Sequence, residues 1–184
     1  MVVDVIVDEI KNTLVSAIKG TDDVLSALRT AVKNQIIGGV SDTGAVATTT
    51  TKTVSHVVEG AVVSASEVGT SVVDAAGAVI EETVSTVSGA GGDVIKAAGE
   101  AVSGAVRGAS DVGGDVTGVA VASVEAAIKT AGNLGKDTTQ VAKEVTVAAV
   151  KSADELGEEV SKTVKDSLKN VASLPREVLD SVLG

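Results

Sequence analysis

The sequence predicts an all-α protein built of elongated amphipathic helices, and three observations lead to this prediction. The chain of 184 residues contains no Phe, Tyr, Trp or Cys, yet 44% of its residues are hydrophobic, chiefly Val and Ala. Its apolar residues recur at the spacing of a helix face. From residue 53 to 172 they also recur at a fixed interval of 11 residues, on which a second interval of 22 residues is superimposed.

Residues 1–37 are predicted to form a short N-terminal helical hairpin. Ile10 and Leu14 belong to the apolar face of a first helix, which Gly20 interrupts. A second helix, with Leu28 on its apolar side, is expected to stop at Gly38-Gly39 because glycine is a common helix terminator. One kinked helix is the alternative that the same residues allow.

A linker and a final helix are predicted on either side of the repeat. Residues 38–52 are rich in glycine and include the run Thr48–Thr51, so we expect them to be a linker. Residues 173–184 are expected to form a short C-terminal helix that begins near Pro175 and has Val178 on its apolar face.

The repeat region, residues 53–172, carries the clearest pattern. Every eleventh residue from Val54 is Ala or Val, and the position seven residues later in each unit is nearly as apolar. Because 11 residues fill three turns at about 3.67 residues per turn, such a stripe runs almost straight along a helix. We therefore interpret the region as one long amphipathic helix. Its predicted apolar repeat face consists of Val54, Ala65, Ala76, Val87, Ala98, Ala109, Ala120, Ala131, Ala142, Ala153, Val164, Val72, Val94, Val116 and Val160.

Glycine follows the 22-residue interval. Gly69, Gly91 and Gly113 alternate with branched residues such as Ile80 and Val102 in the same column. Two explanations stay open for this alternation: duplication of a unit, or a partner helix offset by 11 residues that places each branched side chain opposite a glycine. Each glycine costs about 1 kcal/mol against Ala inside a helix, so we expect the region to be weakly helical or disordered when free.

The polar side of the predicted helix is also ordered. Basic and acidic residues lie four positions apart, where opposite charges on a helix surface can pair. We predict an outer face of such pairs, exposed to solvent. The predicted pairs are Lys96/Glu100, Arg107/Asp111, Lys151/Glu155 and Lys162/Asp166.

Nothing in the sequence forms a catalytic, cofactor-binding or metal-binding constellation, so we expect a protein that is not an enzyme. His56 is the only histidine, and without cysteine a zinc site would need carboxylates alone around it. The glycines at 89–92 and 104–108 lack the strand and the Gly-Lys-Ser/Thr ending of a phosphate loop. The net charge of -10 argues against nucleic acid as a partner.

The repeat resembles the 11-residue amphipathic repeats of perilipins and synucleins in composition and period, over residues 50–172. The resemblance implies a helix that lies at the boundary of a lipid droplet or bilayer. One departure is that the basic column lies opposite the apolar stripe, whereas lysines flank the stripe in synucleins. This difference favours a weakly charged surface over an anionic membrane. The matching pieces are Lys52-Thr-Val, Val58-Glu-Gly-Ala-Val-Val, Gly113-Gly-Asp-Val-Thr-Gly-Val-Ala-Val-Ala, Ile128-Lys-Thr-Ala-Gly and Lys162-Thr-Val-Lys-Asp.

Two main functions follow as hypotheses. The first is a non-enzymatic protein that coats an apolar or lipid surface, such as a droplet, a granule or a weakly charged membrane. The alternative is self-assembly into a helical bundle or filament, since an 11-residue stripe of small residues also suits helix-on-helix packing. A soluble stress-protective role is a third hypothesis. No uncharged stretch is long enough to span a bilayer, so we expect a cytoplasmic protein, free or peripheral on a membrane or lipid droplet.

Overall fold

The computed structural model describes residues 2–18, 23–43 and 49–184, and the side chains of 7–18, 23–38 and 54–184. Its described residues are helical apart from short turns, which confirms the all-α prediction. The helices are α1 (Val2–Ile18), α2 (Val24–Thr43), α3 (Thr49–Glu67), α4 (Val72–Gly89), α5 (Val94–Asp111), α6 (Val116–Asn133), α7 (Thr138–Leu156), α8 (Glu158–Leu168) and α9 (Arg176–Val178), which continues into a π-helical turn (Leu179–Leu183).

The helices stack as a two-layer repeat. Each helix from α2 to α8 packs against the preceding one, and it also packs against the helix two places before it when there is one. The first layer therefore contains α1, α3, α5 and α7, and the second contains α2, α4, α6 and α8. Each unit contacts its near neighbours, as in solenoid proteins, and one apolar core runs between the layers through the whole stack.

The 22-residue interval is one helix plus one turn, so the interpretation of 53–172 as a single long helix is wrong. Gly91 has φ +75° and ends α4 in a Schellman motif. Its N–H donates to the Ser88 carbonyl at 3.1 Å, and the N–H of Gly92 donates to the Val87 carbonyl at 2.9 Å. The equivalent residues with positive φ at the other turns are Gly69, Gly113, Gly135 and Gly157.

Each of the helices α4 to α7 is capped by the side chain two residues after the turn glycine and begins at the next residue. The Asp93 carboxylate accepts a hydrogen bond from the Lys96 N–H at 3.1 Å, which satisfies one of the donors left free at the start of α5. Asp115 caps α6 in the same way, with its Oδ1 2.8 Å from the N–H of Gly118. The corresponding caps of α4 and α7 are Ser71 and Asp137.

The turn between α7 and α8 departs from this pattern. Gly157 has φ 137°, α8 begins at the next residue, and no side chain caps it. The position equivalent to the capping aspartates is Glu159, and Glu is not among the preferred N-cap residues. The change of one capping residue therefore coincides with the shorter connection.

Three segment boundaries differ from their predictions. Helix α2 continues through Gly38 to Thr43, and α3 begins at Thr49, so the linker predicted for 38–52 is helical at both ends. Packing of α2 against α3 and α4 outweighs the low helix propensity of glycine. Gly20 and residues 44–48 lie outside the described residues. The last helix is shorter than predicted and ends in the π-helical turn, with Val178 buried as expected.

Buried hydroxyl groups interrupt the apolar core, and some of them are unpaired. Among the described side chains, Thr83 Oγ1, Ser123 Oγ and Thr146 Oγ1 are buried and have no hydrogen-bond partner. A buried polar group without a partner costs about 1–3 kcal/mol. At the spacing of 22 residues, the positions equivalent to Thr146 in the other helices hold Val, Ile or Leu, so valine is the natural replacement.

Thr146→Val is therefore expected to stabilise the protein by about 1 kcal/mol, because a methyl group of similar size replaces an unpaired hydroxyl. Chemical denaturation followed by circular dichroism would measure the change. Thr163→Val is the matched control: its exposed hydroxyl donates to the Glu159 carbonyl at 2.9 Å, so no gain is expected. A loss of stability in Thr146→Val would show that an unseen partner satisfies the hydroxyl.

Candidate functional site

The predicted apolar repeat face is the core of the stack. All residues of the 11-residue column are buried, with at most 3% of their surface exposed, from Val54 to Val164. Val94 is buried as well, and Val72, Val116 and Val160 are half-buried against the same core. The face that was expected to lie on a surface or on another chain lies on other helices of this chain.

Glycine allows the first layer to pack very closely. A Cβ atom on Gly104 would lie 2.2 Å from the Ser55 carbonyl oxygen, and one on Gly108 would lie 2.8 Å from the Glu59 carbonyl oxygen. Helices α3 and α5 therefore approach each other backbone to backbone at these two positions. Gly60 has the same role between α3 and α1, since its Cβ would lie 2.9 Å from Ile10 Cγ2. These mid-helix glycines serve packing, whereas those of the 22-residue interval serve turns.

The hypothesis that branched side chains face glycine gaps is wrong for the residues on which it was based. Gly69, Gly91 and Gly113 lie at exposed turns, and a Cβ on any of them would meet nothing within 4 Å. Ile80 and Val102 lie in the middle of α4 and α5 and are fully buried. The two sets alternate because a helix and its turn together span 22 residues.

A polar cluster lies beside the close α3–α5 contact. Arg107 Nε is 3.1 Å from Glu59 Oε2, and Arg107 also donates to the Ser55 hydroxyl. Burial raises the pKa of Glu59 above its ordinary value; Arg107 opposes this shift and Asp111 adds to it. Only 8% of Glu59 is exposed, so its charge depends on Arg107 for compensation. The cluster binds two neighbouring helices of the stack to each other.

Acidification is expected to stabilise the fold through Glu59. A carboxyl group whose folded pKa lies above its unfolded value contributes stability that is fully present below the unfolded value and is lost as the pH rises through the folded pKa. Here that window begins near the ordinary value of 4.5. Between pH 4.5 and 7, Glu59→Gln should therefore lose less stability than the unmodified protein in urea denaturation. Glu125→Gln, at an exposed position, is the control; an equal effect of both variants would contradict the prediction.

The ion pairs of the described side chains are not the four predicted ones. Arg107 pairs with Glu59 on α3 rather than with Asp111 on its own helix. Arg29 Nη2 lies 2.8 Å from Glu81 Oε2, which joins α2 to α4. Four of the pairs given below join two helices of the stack, because packed neighbours bring side chains as close as residues four apart do. The other two join residues three apart along the chain. The ion pairs of the described side chains include Lys11/Asp8, Lys11/Glu67, Arg29/Glu81, Arg107/Glu59, Lys165/Asp154 and Lys169/Asp166.

Little apolar surface is left on the outside. The large hydrophobic side chains that are exposed in the described part of the chain are Ile37, Leu134 and Val147. Ile37 lines a shallow groove of about 390 Å³ between α2 and α4, and Leu134 lines one of about 240 Å³ between α4 and α6.

Within the described ranges, His, Asp and Glu do not gather in groups that could hold a metal ion. No helix in those ranges has the length and apolar character needed to cross a bilayer.

Comparisons with known proteins identify the fold. No family model matches the chain, and no curated protein matches it either. Among solved structures it is similar to a crystal structure of the de novo designed helical repeat protein DHR7, with a TM-score of 0.55 and 22% sequence identity. That similarity covers 92% of this chain and 94% of the designed one. The likeness therefore concerns the helical-repeat architecture as a whole.

Proposed function

We propose that this protein is a non-enzymatic structural protein that acts as a self-contained helical-repeat scaffold. The observation that carries this proposal is the burial of the whole 11-residue column inside the chain. An amphipathic helix that has already buried its apolar face has no need of a lipid surface or a second chain in order to fold. Repeat stacks of this kind present broad outer surfaces, and here these surfaces are mainly polar or charged.

The test compares the protein with and without lipid. The full chain should be strongly helical by circular dichroism in lipid-free buffer, unfold in one cooperative transition and have the mass of a monomer in light scattering at low concentration. Addition of neutral phosphatidylcholine vesicles or a triolein emulsion should not increase its helicity, and the protein should not float with either. A chain that gains its helix only with lipid would overturn the scaffold proposal.

Coating of an apolar surface is the second candidate, and one observation favours it. The apolar columns continue through the turns in helical phase: Val68 and Val72 follow Ala65 at the spacing that the helix interiors use. A straightened chain would thus still have one continuous stripe. Coating would require the stack to open, at the cost of its interhelical contacts. Flotation with the triolein emulsion, together with loss of the cooperative transition, is the result that would favour coating over the scaffold.

A further inference from the structure

The turn between α6 and α7 differs from the other turns in its exposure. Residues 132–140 form an unbroken exposed run, whereas the turns before α4 and α6 include half-buried residues. This turn contains Leu134, which is 39% exposed. The equivalent residues at two other turns, Val68 and Val112, are half-buried. The α6–α7 turn thus has the hydrogen bonds of the other turns, but it lies in solvent and leaves a large apolar side chain exposed.

The repeat phase shows what a straight helix through this turn would do with Leu134. Leu134 follows Ala131 by three residues, and Ala142 follows Ala131 by 11, so all three lie on one stripe of a continuous helix. A helix from 116 to 156 would be about 60 Å long, and the apolar faces of α6 and α7 would lie on the same side of it. Two such helices could pack antiparallel, with Leu134 covered at their centre.

We propose that the α6–α7 turn is a hinge through which two copies of this chain exchange their C-terminal units, residues 138–184. The partner is a second copy because the contacts that α7 makes with α5 and α6, and those that α8 makes with α6, re-form between the chains without change. Only the turn differs between the monomer and the exchanged dimer. The inference goes beyond the scaffold proposal, which does not depend on it.

Gly135 controls the equilibrium between the two forms. It has φ +70° in the turn, and a Cβ at this position would meet nothing within 4 Å, so alanine there strains only the backbone of the monomer. In the straight helix the same alanine is favourable, because alanine is the best helix former and glycine is one of the worst. Gly135→Ala should therefore raise the ratio of dimer to monomer by about tenfold.

The experiment refolds the full chain from denaturant at low and high concentration and measures mass by size exclusion with light scattering. The unmodified protein should show a dimer fraction that grows with refolding concentration, and Gly135→Ala should increase it. The dimer should persist after dilution, since exchanged chains separate only by unfolding. Leu134→Lys added to Gly135→Ala should abolish the dimer and leave the stability of the monomer unchanged, because Leu134 is exposed there.

Gly113→Ala is the matched control. Its φ of +64° and its open surroundings give the same local strain, but Gly114 beside it packs against Val72, with 3.0 Å from a Cβ on Gly114 to Val72 Cγ2. It should stay monomeric. The proposal is overturned if Gly135→Ala and the unmodified protein are both monomeric at every concentration, if the dimer dissociates at once on dilution, or if Gly113→Ala dimerises equally. These results would leave the scaffold proposal intact, because it concerns a helical, lipid-independent fold.

Discussion

Replacing Gly104 by alanine is expected to destabilise the protein by about 3 kcal/mol, which is the upper part of the range for overpacked sites. The added Cβ would lie 2.2 Å from the Ser55 carbonyl oxygen, and that atom belongs to the backbone of α3. Because a backbone atom cannot rotate away, the two helices must move apart. The separation would disturb the neighbouring Arg107–Glu59 pair as well, whose atoms lie 3.1 Å apart.

Gly77→Ala is the matched control for this prediction. Gly77 also lies inside a helix, α4, but a Cβ there would meet nothing within 4 Å. The same substitution should therefore stabilise the protein by about 0.5–1 kcal/mol, through helix propensity alone. Urea denaturation of both variants gives the comparison. Equal effects of the two substitutions would mean that α3 and α5 do not approach each other closely at Gly104.

Replacing Ile80 by alanine is expected to destabilise the protein by about 2–5 kcal/mol, because it creates a cavity in a core without aromatic side chains. Ile80 is fully buried and is among the largest buried side chains in the described part of the chain. The core cluster to which it belongs consists mostly of Val and Ala, which have few rotamers with which to fill the space. Thermal unfolding followed by circular dichroism would measure the loss.

Ile80→Val is the control that leaves a smaller cavity at the same position. Removal of a single methylene group should cost about 0.5–1.5 kcal/mol, well below the loss in Ile80→Ala. Ile37→Ala is the exposed counterpart, since 43% of Ile37 is accessible, and it should change stability little. If Ile80→Ala and Ile37→Ala cost the same, the apolar residues of the repeat would not form a packed core, and the scaffold proposal would lose its basis.

The sequence predicted the helical class and the apolar positions, but it did not reveal the breaks between helices. Eleven residues fill three helical turns, so the apolar columns keep their phase whether the chain runs straight or folds back at Gly91. The pattern of apolar residues is therefore the same for both structures. A local signal was present: Gly91 is followed two residues later by Asp93, and a glycine terminator before an aspartate cap is typical of a turn between two helices.

The roles of the individual glycines were not predicted from the sequence either. Composition alone does not distinguish Gly113 from Gly104. In the structure, Gly113 adopts φ +64° at a turn, whereas Gly104 lies in contact with α3. Propensity assigns both of them the same cost in a helix. Only the neighbouring helix distinguishes a position where glycine supplies a backbone conformation from one where it supplies space.

The sequence by itself determined that this chain is all-α, which of its residues form the apolar face of a helix, and the length of its repeating unit. These properties follow from local spacing, because a helix places residues three, four and seven apart on one face. Tertiary structure alone decided what covers that face and which charges pair. Arg107, for example, pairs with Glu59 on α3 and not with Asp111 on its own helix, α5. These contacts depend on which helices become neighbours in space. The 11-residue period does not reveal the neighbours, because it fits both one straight helix and a chain that folds back into several helices.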